Sequence, residues 1–528
     1  MQILIQSIEM PVRHTKEQVI RAAQEIVRLN CVLAENFWIY KQSLDARRKG
    51  NIRYIYSVAA TAPDDTVCDG KQIRPLTDRS DLEIPRTGRL KSRPVVVGMG
   101  PCGLFAAYVL AKSGNPPLVL ERGEPVEQRA ETVERFWKTG KLDPESNVQF
   151  GEGGAGTFSD GKLNTRISDP RQRYVLQTFA KHGAPEDILY RAKPHIGTDR
   201  LRGVVSSMRR EILRLGGEIR FRACLTGIKA RDGRLTEIQI NHGETLACTQ
   251  LILAIGHSSR DTYEMLERAG VMMKPKAFAA GVRIEHRQAM IDRLQYGKTD
   301  VKLPPADYRL VHNGKERSCY SFCMCPGGQV VNASSEPERL VVNGMSRYGR
   351  NEENANSALV VSVRPEDLPS EGVLAGVAFQ RKYEELAYKA GGGNGSAPVQ
   401  LASDFLADRP SVELREVYPS FTGKWQFAEL KTCLPPFIVQ SLKEGLNDFE
   451  RKMHGFSQKG LLTGVEMRTS APVCILRSSE LESVNWKGIF PAGEGAGYAG
   501  GIVSAAVDGI RIAMEILSRM EKRKENLN

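Results

Sequence analysis

A chain of 528 residues, 41% hydrophobic and 26% charged, is too long for one ordinary core and divides on length alone into two or three domains. Its 74 Lys and Arg against 62 Asp and Glu give a net charge of +12, which suits anionic partners such as dinucleotides, acidic substrates or RNA, but no dense internal basic block marks a nucleic-acid tract. No charge-free apolar run reaches the roughly 18–20 residues of a membrane span. The start MQILIQSIEMPVRHTKEQ lacks a signal-peptide layout, and ten scattered cysteines read as reduced thiols, so a cytoplasmic protein with no membrane partner is expected.

Residues 1–90 read as a small α/β module. An opening strand over residues 1–8 precedes the helix-period stretch EQVIRAAQEIVRLN, which sets Val19, Ala22, Ala23, Ile26 and Val27 on one face. The runs FWIYKQSL and IRYIYSV follow as strands around the turn DARRKGN, and residues 78–94 form a linker. PVVVGMGPCGLFAAYVLAKSGNPPLVLERG is then a buried strand, a glycine turn, a helix and a second strand. After an excursion through GEGGAGTFSDGKL, a helix over residues 204–215 leads to EIRFRACLTGI, LTEIQI and the apolar strand QLILAIG. Residues 271–475 read as a second, mixed domain, and the chain closes with GIFPAGE, a glycine turn and the helix IVSAAVDGIRIAMEIL. The expected division is thus 1–90, 91–270 together with 476–528, and 271–475 as a substrate or cap domain.

Gly98, Gly100 and Gly103 form a GxGxxG run directly between a strand and a helix. The first glycine permits the tight turn, the second admits a pyrophosphate, and the third lets helix and strand pack closely. Pro101 and Cys102 occupy the turn, where amides of the helix start meet phosphate. Glu121 ends the second strand about 20 residues on, placed for adenosine ribose hydroxyls, with Arg122 beside it; an acid there disfavours a 2′-phosphate. A nicotinamide-only fold would continue into consecutive βαβ units, whereas this chain leaves through a meander containing Leu225 and returns at PAGEGAGYAGG.

Three separated motifs therefore resemble those of flavoproteins with the glutathione-reductase type of FAD fold: Gly98–Gly103, Ala254–Ile255–Gly256 where that group has ATG, and Gly493–Glu494 where it often has Asp. More closely, SLDARRKGNI, GEGGAGTFSDGKLNTR, CMCPGGQVVNASSE, LLTGVEMRTSAPV and PAGEGAGYAGGIVSAAVDG resemble a family of bacterial FAD-dependent dehydrogenase-like proteins over nearly the whole chain. The resemblance implies an α/β FAD-binding Rossmann fold with an inserted mixed α+β domain and a small N-terminal α/β module. It also implies FAD as cofactor. Gly500 and Gly501 open the last helix at Ile502, and bare glycines there admit the flat isoalloxazine. The glycine-rich GEGGAGTFSDGKL is expected to wrap the cofactor through Gly153, Gly154, Ala155, Gly156 and Thr157, with Asp160 and Lys162 reaching cofactor or substrate; a surface loop is the alternative.

For the chemistry, Arg283 and His286 in GVRIEH and Arg468 in GVEMRTSAPV are the candidates: the arginines for an anionic substrate, the histidine for proton transfer. Structural pairing with carboxylates such as Glu285 and Glu466 is the competing reading. Cys319, Cys323 and Cys325 form the one cysteine cluster, read first as packing, then as redox thiols, and least as a metal site; no metal is expected. No second GxGxxG follows a strand, so NAD(P)H is a possible electron donor without a dedicated domain. The expected function is an FAD-dependent oxidoreductase of a small anionic or polar molecule. The alternative is a flavoprotein that binds or modifies RNA through its basic N-terminal module, with Phe37, Trp38, Tyr40, Tyr54 and Tyr56 as stacking candidates. Oligomeric state is not legible.

Overall fold

The computed structural model describes residues 1–77, 82–165, 167–298 and 300–525; residues 78–81 of the expected linker lie outside the described residues. The protein is a mixed α/β structure. At its centre five parallel strands stand in the order Ile489–Pro491, Leu251–Leu253, Val95–Val97, Leu118–Leu120, Glu218–Arg220. Val95–Val97 and Leu118–Leu120 are buried on both faces, which is why they read as unbroken apolar runs rather than alternating ones. The chain order reverses between the Val95 and Leu251 strands. Such a switch opens a crevice at the carboxyl ends of the strands, where ligands bind in open α/β sheets.

The helix Pro101–Lys112 packs on this sheet with every residue from Cys102 to Ala111 buried. Its outer side is covered by the C-terminal helix Ile502–Glu525, close enough that a Cβ on Gly509 would stand 2.1 Å from the Cys102 carbonyl oxygen. Beside the sheet lies the antiparallel meander Leu225–Arg231, Arg234–Ile240, Glu244–Ala247.

A second, seven-stranded sheet runs Val311–Asn313, Ser318–Cys325, Asn354–Val363, Phe278–Arg287, Leu461–Glu466, Ala397–Leu401, Trp425–Phe427. The long helix Pro436–Lys452 buries Ile438, Leu442, Leu446 and Phe449 in the same apolar core as this sheet. The N-terminal residues form a four-stranded sheet with the helix Lys16–Leu29, whose Val19, Ala23 and Val27 are buried and whose start is closed by a Thr15–Gln18 capping box. This sheet is joined to the rest by hydrogen bonds of Gln42 to Tyr190 (2.7 Å) and Ala192 (2.8 Å). None of Phe37, Trp38, Tyr40, Tyr54 and Tyr56 is exposed; Tyr56 is buried and bonded to His14 and Gln42. Among the described residues no helix is long and apolar enough to cross a membrane.

Candidate active site

A cavity of about 510 Å3 opens where the central parallel strands end. Its floor is the first glycine turn. Gly98 sits at φ +94°, and a Cβ there would come within 2.3 Å of the Ala254 carbonyl oxygen, so the first motif and the middle one pack backbone to backbone. Gly98, Gly100, Pro101 and Cys102 line the cavity. Gly103 does not: a Cβ there would meet the Gly98 carbonyl oxygen at 1.9 Å, which is the helix–strand contact expected of the third glycine. The helix that follows has no side-chain cap and no acid in its first turn, leaving its positive end to the cavity.

Glu121 and Arg122 line one end. The Glu121 carboxylate is buried and accepts from the amides of Met99 (2.7 Å), Gly123 (2.9 Å) and Gly151 (3.0 Å). A carboxylate offers about four lone-pair sites, so Oε2 retains one for a ribose hydroxyl. Arg122 is held by Glu145 and Asp261 and lies 4.1 Å from the Phe150 ring centroid. Leu225 joins the wall from the meander, and Ala254 and Gly256 from the strand end.

The loop 151–163 folds against the glycine turn. Gly154, Ala155, Gly156, Asp160 and Lys162 line the cavity, and a Cβ on Gly154 would stand 2.9 Å from the Gly100 Cα. Gly153 and Thr157 stand behind this wall instead. The Gly153 amide donates to the Met99 carbonyl (2.8 Å), while Thr157 is buried with its carbonyl accepting from the Thr198 hydroxyl (2.6 Å). The loop is shaped by Arg129, which sequence reasoning missed. Its fully buried guanidinium donates to the carbonyls of Asn147, Val148, Gly151, Glu152 and Gly154 at 2.7–3.2 Å. Asp160 is engaged by both Arg350 Nε (3.0 Å) and Nη2 (2.5 Å).

Glu494, Gly500, Gly501 and Ile502 complete the cradle. Gly493 is withdrawn: its amide donates to Asp508 (2.8 Å), and a Cβ would strike the Cys102 side chain. Asp508, itself paired with Arg477, and Tyr263, whose hydroxyl donates to the Gly495 carbonyl (2.7 Å), pin this last turn; neither was legible as a site residue. Burial, only partly offset by Lys276, pushes the Glu494 carboxyl up to about 7.

The opposite wall comes from the seven-stranded sheet, through Cys323 and Glu466, and from segments beside it, through Tyr308, Asn343 and Arg468. Arg468 chelates Glu384 through Nε (2.8 Å) and Nη2 (2.7 Å) and donates to Ser335 through Nη1 (2.5 Å). Glu384 also receives Arg260, so this buried cluster holds both guanidiniums. Arg283 stands just behind the wall, fully buried, with Nε 3.2 Å from Glu466 and Nη2 donating to the Cys323 carbonyl (2.9 Å). Burial pushes the Glu466 carboxyl up to about 7, although Arg283 opposes the rise. His286 is elsewhere. It lies on the other face of its strand, donates from Nε2 to the Phe456 carbonyl (2.7 Å), and burial pulls its pKa down to about 4. It is a neutral packing group out of reach of the cavity, and Arg283 and His286 do not form a pair.

The cavity's donors fit FAD: a helix end with no side-chain cap, a bare glycine cradle and a buried carboxylate with a lone pair to spare are brought together from three distant stretches of chain. Residues 277–469 match a family described as FAD-dependent protein, C-terminal domain-like. An uncharacterized protein of Clostridium beijerinckii is 52% identical over 497 residues, covering 92% of this chain and 93% of its own. Glycine oxidase from Geobacillus kaustophilus aligns at 11% identity over 82% of this chain and 95% of its own, with a TM-score of 0.36. A geranylgeranyl bacteriochlorophyll reductase-like protein from Thermoplasma acidophilum aligns at 13% over 83% and 80%, with a TM-score of 0.34. The chain belongs to the FAD-binding family that includes the clostridial protein, and FAD is its cofactor.

Proposed function

We propose that the protein is an FAD-dependent oxidoreductase of the dehydrogenase type, with a glutathione-reductase-type FAD domain formed by residues 91–270 and 476–528. Residues 271–475 then act as the cap over a small polar or anionic substrate. The observation that carries this reading is that the glycine cradle and the polar wall of Lys162, Glu466 and Arg468 line one continuous cavity. Bound FAD supplies two-electron redox chemistry there. The chain's own groups do the rest. The two helix ends bind the phosphates and the flavin edge. Glu494, with a carboxyl near 7, presents both a donor and an acceptor to ribityl hydroxyls. Glu466 is placed to hold or release a proton at the cap wall in the neutral range, where general acid–base groups work best.

Arg468 keeps a cation at the wall, but Glu384 compensates it, so anion binding at this wall depends on Lys162 as well. A nicotinamide donor would have to dock in this same cavity, since no second dinucleotide turn was found in the sequence. The ten cysteines, all free, suit a cytoplasmic setting. The test is anaerobic mixing of the yellow protein with a panel of small metabolites, NADH and NADPH. One donor should bleach the flavin rapidly, and Glu466→Gln should slow that reduction while leaving FAD content intact. A flavin that no donor reduces, or a Glu466→Gln variant that reduces at the parental rate across pH, would refute the reading.

A further inference from the structure

We propose that Cys323 and Cys325 are a redox dithiol that exchanges an electron pair with FAD. This rests on FAD as the cofactor and is independent of which substrate the enzyme takes. The spacing alone favours packing, because C-x-C on a regular strand leaves the two side chains side by side without bringing the sulfurs together. The structure departs from a regular strand at this point. The pairing of Ser318–Cys325 with Asn354–Val363 shifts register between Phe322 and Cys325, and Cys323 adopts φ +44°. A left-handed conformation is costly for a residue with a Cβ, and such outliers persist where the surroundings impose them, often at functional sites. Its consequence is chemical. Cys323 is turned into the FAD cavity and stays half-buried, and Cys325 lies fully buried beside it, its thiol donating to the Cys323 carbonyl (3.3 Å).

Two cations converge on this turn. Lys162, from the glycine-rich loop, donates to the Met324 carbonyl, and Arg283 donates to the Cys323 carbonyl. Neighbouring charges leave an excess that a thiolate would match. Asp160, 3.8 Å from Lys162, is already engaged at both oxygens by Arg350, and Glu466 opposes Arg283. One negative charge at Cys323 balances Lys162. The neighbouring Cys325 thiol, aided by Lys162 and Arg283, accordingly pulls the Cys323 thiol below the ordinary range, whereas burial pushes those of Cys319, Cys433 and the cavity-lining Cys224 up to about 12.

The step balances. Cys323 thiolate and Cys325 thiol become a disulfide: the S–S bond forms, the Cys325 S–H bond breaks, and that proton with two electrons passes to FAD, giving its anionic two-electron-reduced form. The reverse step reduces the disulfide. A ring closed by so short a spacing is strained and therefore readily reduced, which favours flow from reduced flavin to the sulfurs.

The protein, treated with diamide and desalted, should lose two thiols without dimerising, and peptide mass mapping should place the bond between Cys323 and Cys325. Anaerobic dithionite titration of that oxidised protein should then consume about four electrons per FAD, against about two for Cys325→Ser. In the untreated holoprotein, iodoacetamide at pH 6 should alkylate Cys323 at least tenfold faster than Cys224. The proposal fails if the oxidised protein takes about two electrons and keeps both thiols, or if Cys323 reacts no faster than Cys224. The thiol count and the alkylation rates need no variant, so a misfolded Cys325→Ser protein would leave the proposal open to refutation.

Discussion

Replacing Arg129 with alanine should loosen the FAD site from behind, without removing any atom that lines it. The guanidinium is the common donor to five backbone carbonyls between Asn147 and Gly154, and its stem supports Gly151, where a Cβ would stand 2.3 Å from Arg129 Cδ. Hydrogen bonds to a charged group contribute about 1.5–3 kcal/mol each, while removing one member of a buried charged network costs about 3–5 kcal/mol in total. Water entering the vacated space re-pairs some carbonyls, so the expected loss is on the order of 4 kcal/mol. Arg129→Lys keeps the charge on one nitrogen that cannot span the set, and should recover less than half. Urea denaturation with and without FAD separates fold from site. Saturation at 100 times Kd adds about 2.7 kcal/mol to the parent. A tenfold weaker site in the variant would gain about 1.4 kcal/mol less. An unchanged urea midpoint, or a destabilised variant that binds FAD at parental affinity, would refute the role assigned to Arg129.

Four further outcomes follow from the same geometry. Gly100→Val should fold and emerge colourless, because a Cβ at Gly100 meets only an ordinary 3.7 Å contact with Gly154 yet occupies the phosphate's approach; full FAD occupancy would refute it. Gly103→Ala should instead fail to fold, for its Cβ would strike the Gly98 carbonyl oxygen at 1.9 Å, and soluble yellow protein would count against that contact. Glu384→Gln leaves the buried Arg260 and Arg468 to share Glu336, which also pairs with Arg381, and should cost about 3–5 kcal/mol in urea denaturation. The His286 pKa of about 4 lies below its ordinary value of 6.5, so the unfolded chain binds the extra proton first. Stability should therefore fall as pH drops from 6.5 to 4, by on the order of 3 kcal/mol, and His286→Gln should flatten that part of the urea midpoint's pH profile.

What was legible in the sequence is what the chain specifies locally. The first glycine turn and Glu121 lie within one βαβ unit, and their spacing alone set their geometry. The strand parity of GVRIEH was equally available and places Arg283 and His286 on opposite faces, a signal that grouping them by proximity ignored. Arg129, Glu384 and Asp508 were out of reach, because each acts on groups supplied by other elements or by distant turns. Cys323 is the sharpest instance. Its left-handed turn depends on the register between two strands, and its cations come from residue 162 and residue 283, so spacing by itself argued for packing.

The central sheet carries a consequence for biosynthesis. Its edge strand Ile489–Pro491 and the covering helix Ile502–Glu525 are made long after the elements they cover, although they close a core begun at Val95. At synthesis rates of 5–20 residues per second, the buried face of the Leu251 strand waits roughly 12 to 48 s for its partner, and that of the Pro101 helix roughly 20 to 80 s. Until then the cradle lacks the wall formed by Glu494 and residues 500–502, so a complete FAD site has to await this last turn. The unfinished chain meanwhile leaves an apolar strand edge unpaired, the kind of surface on which incomplete chains associate.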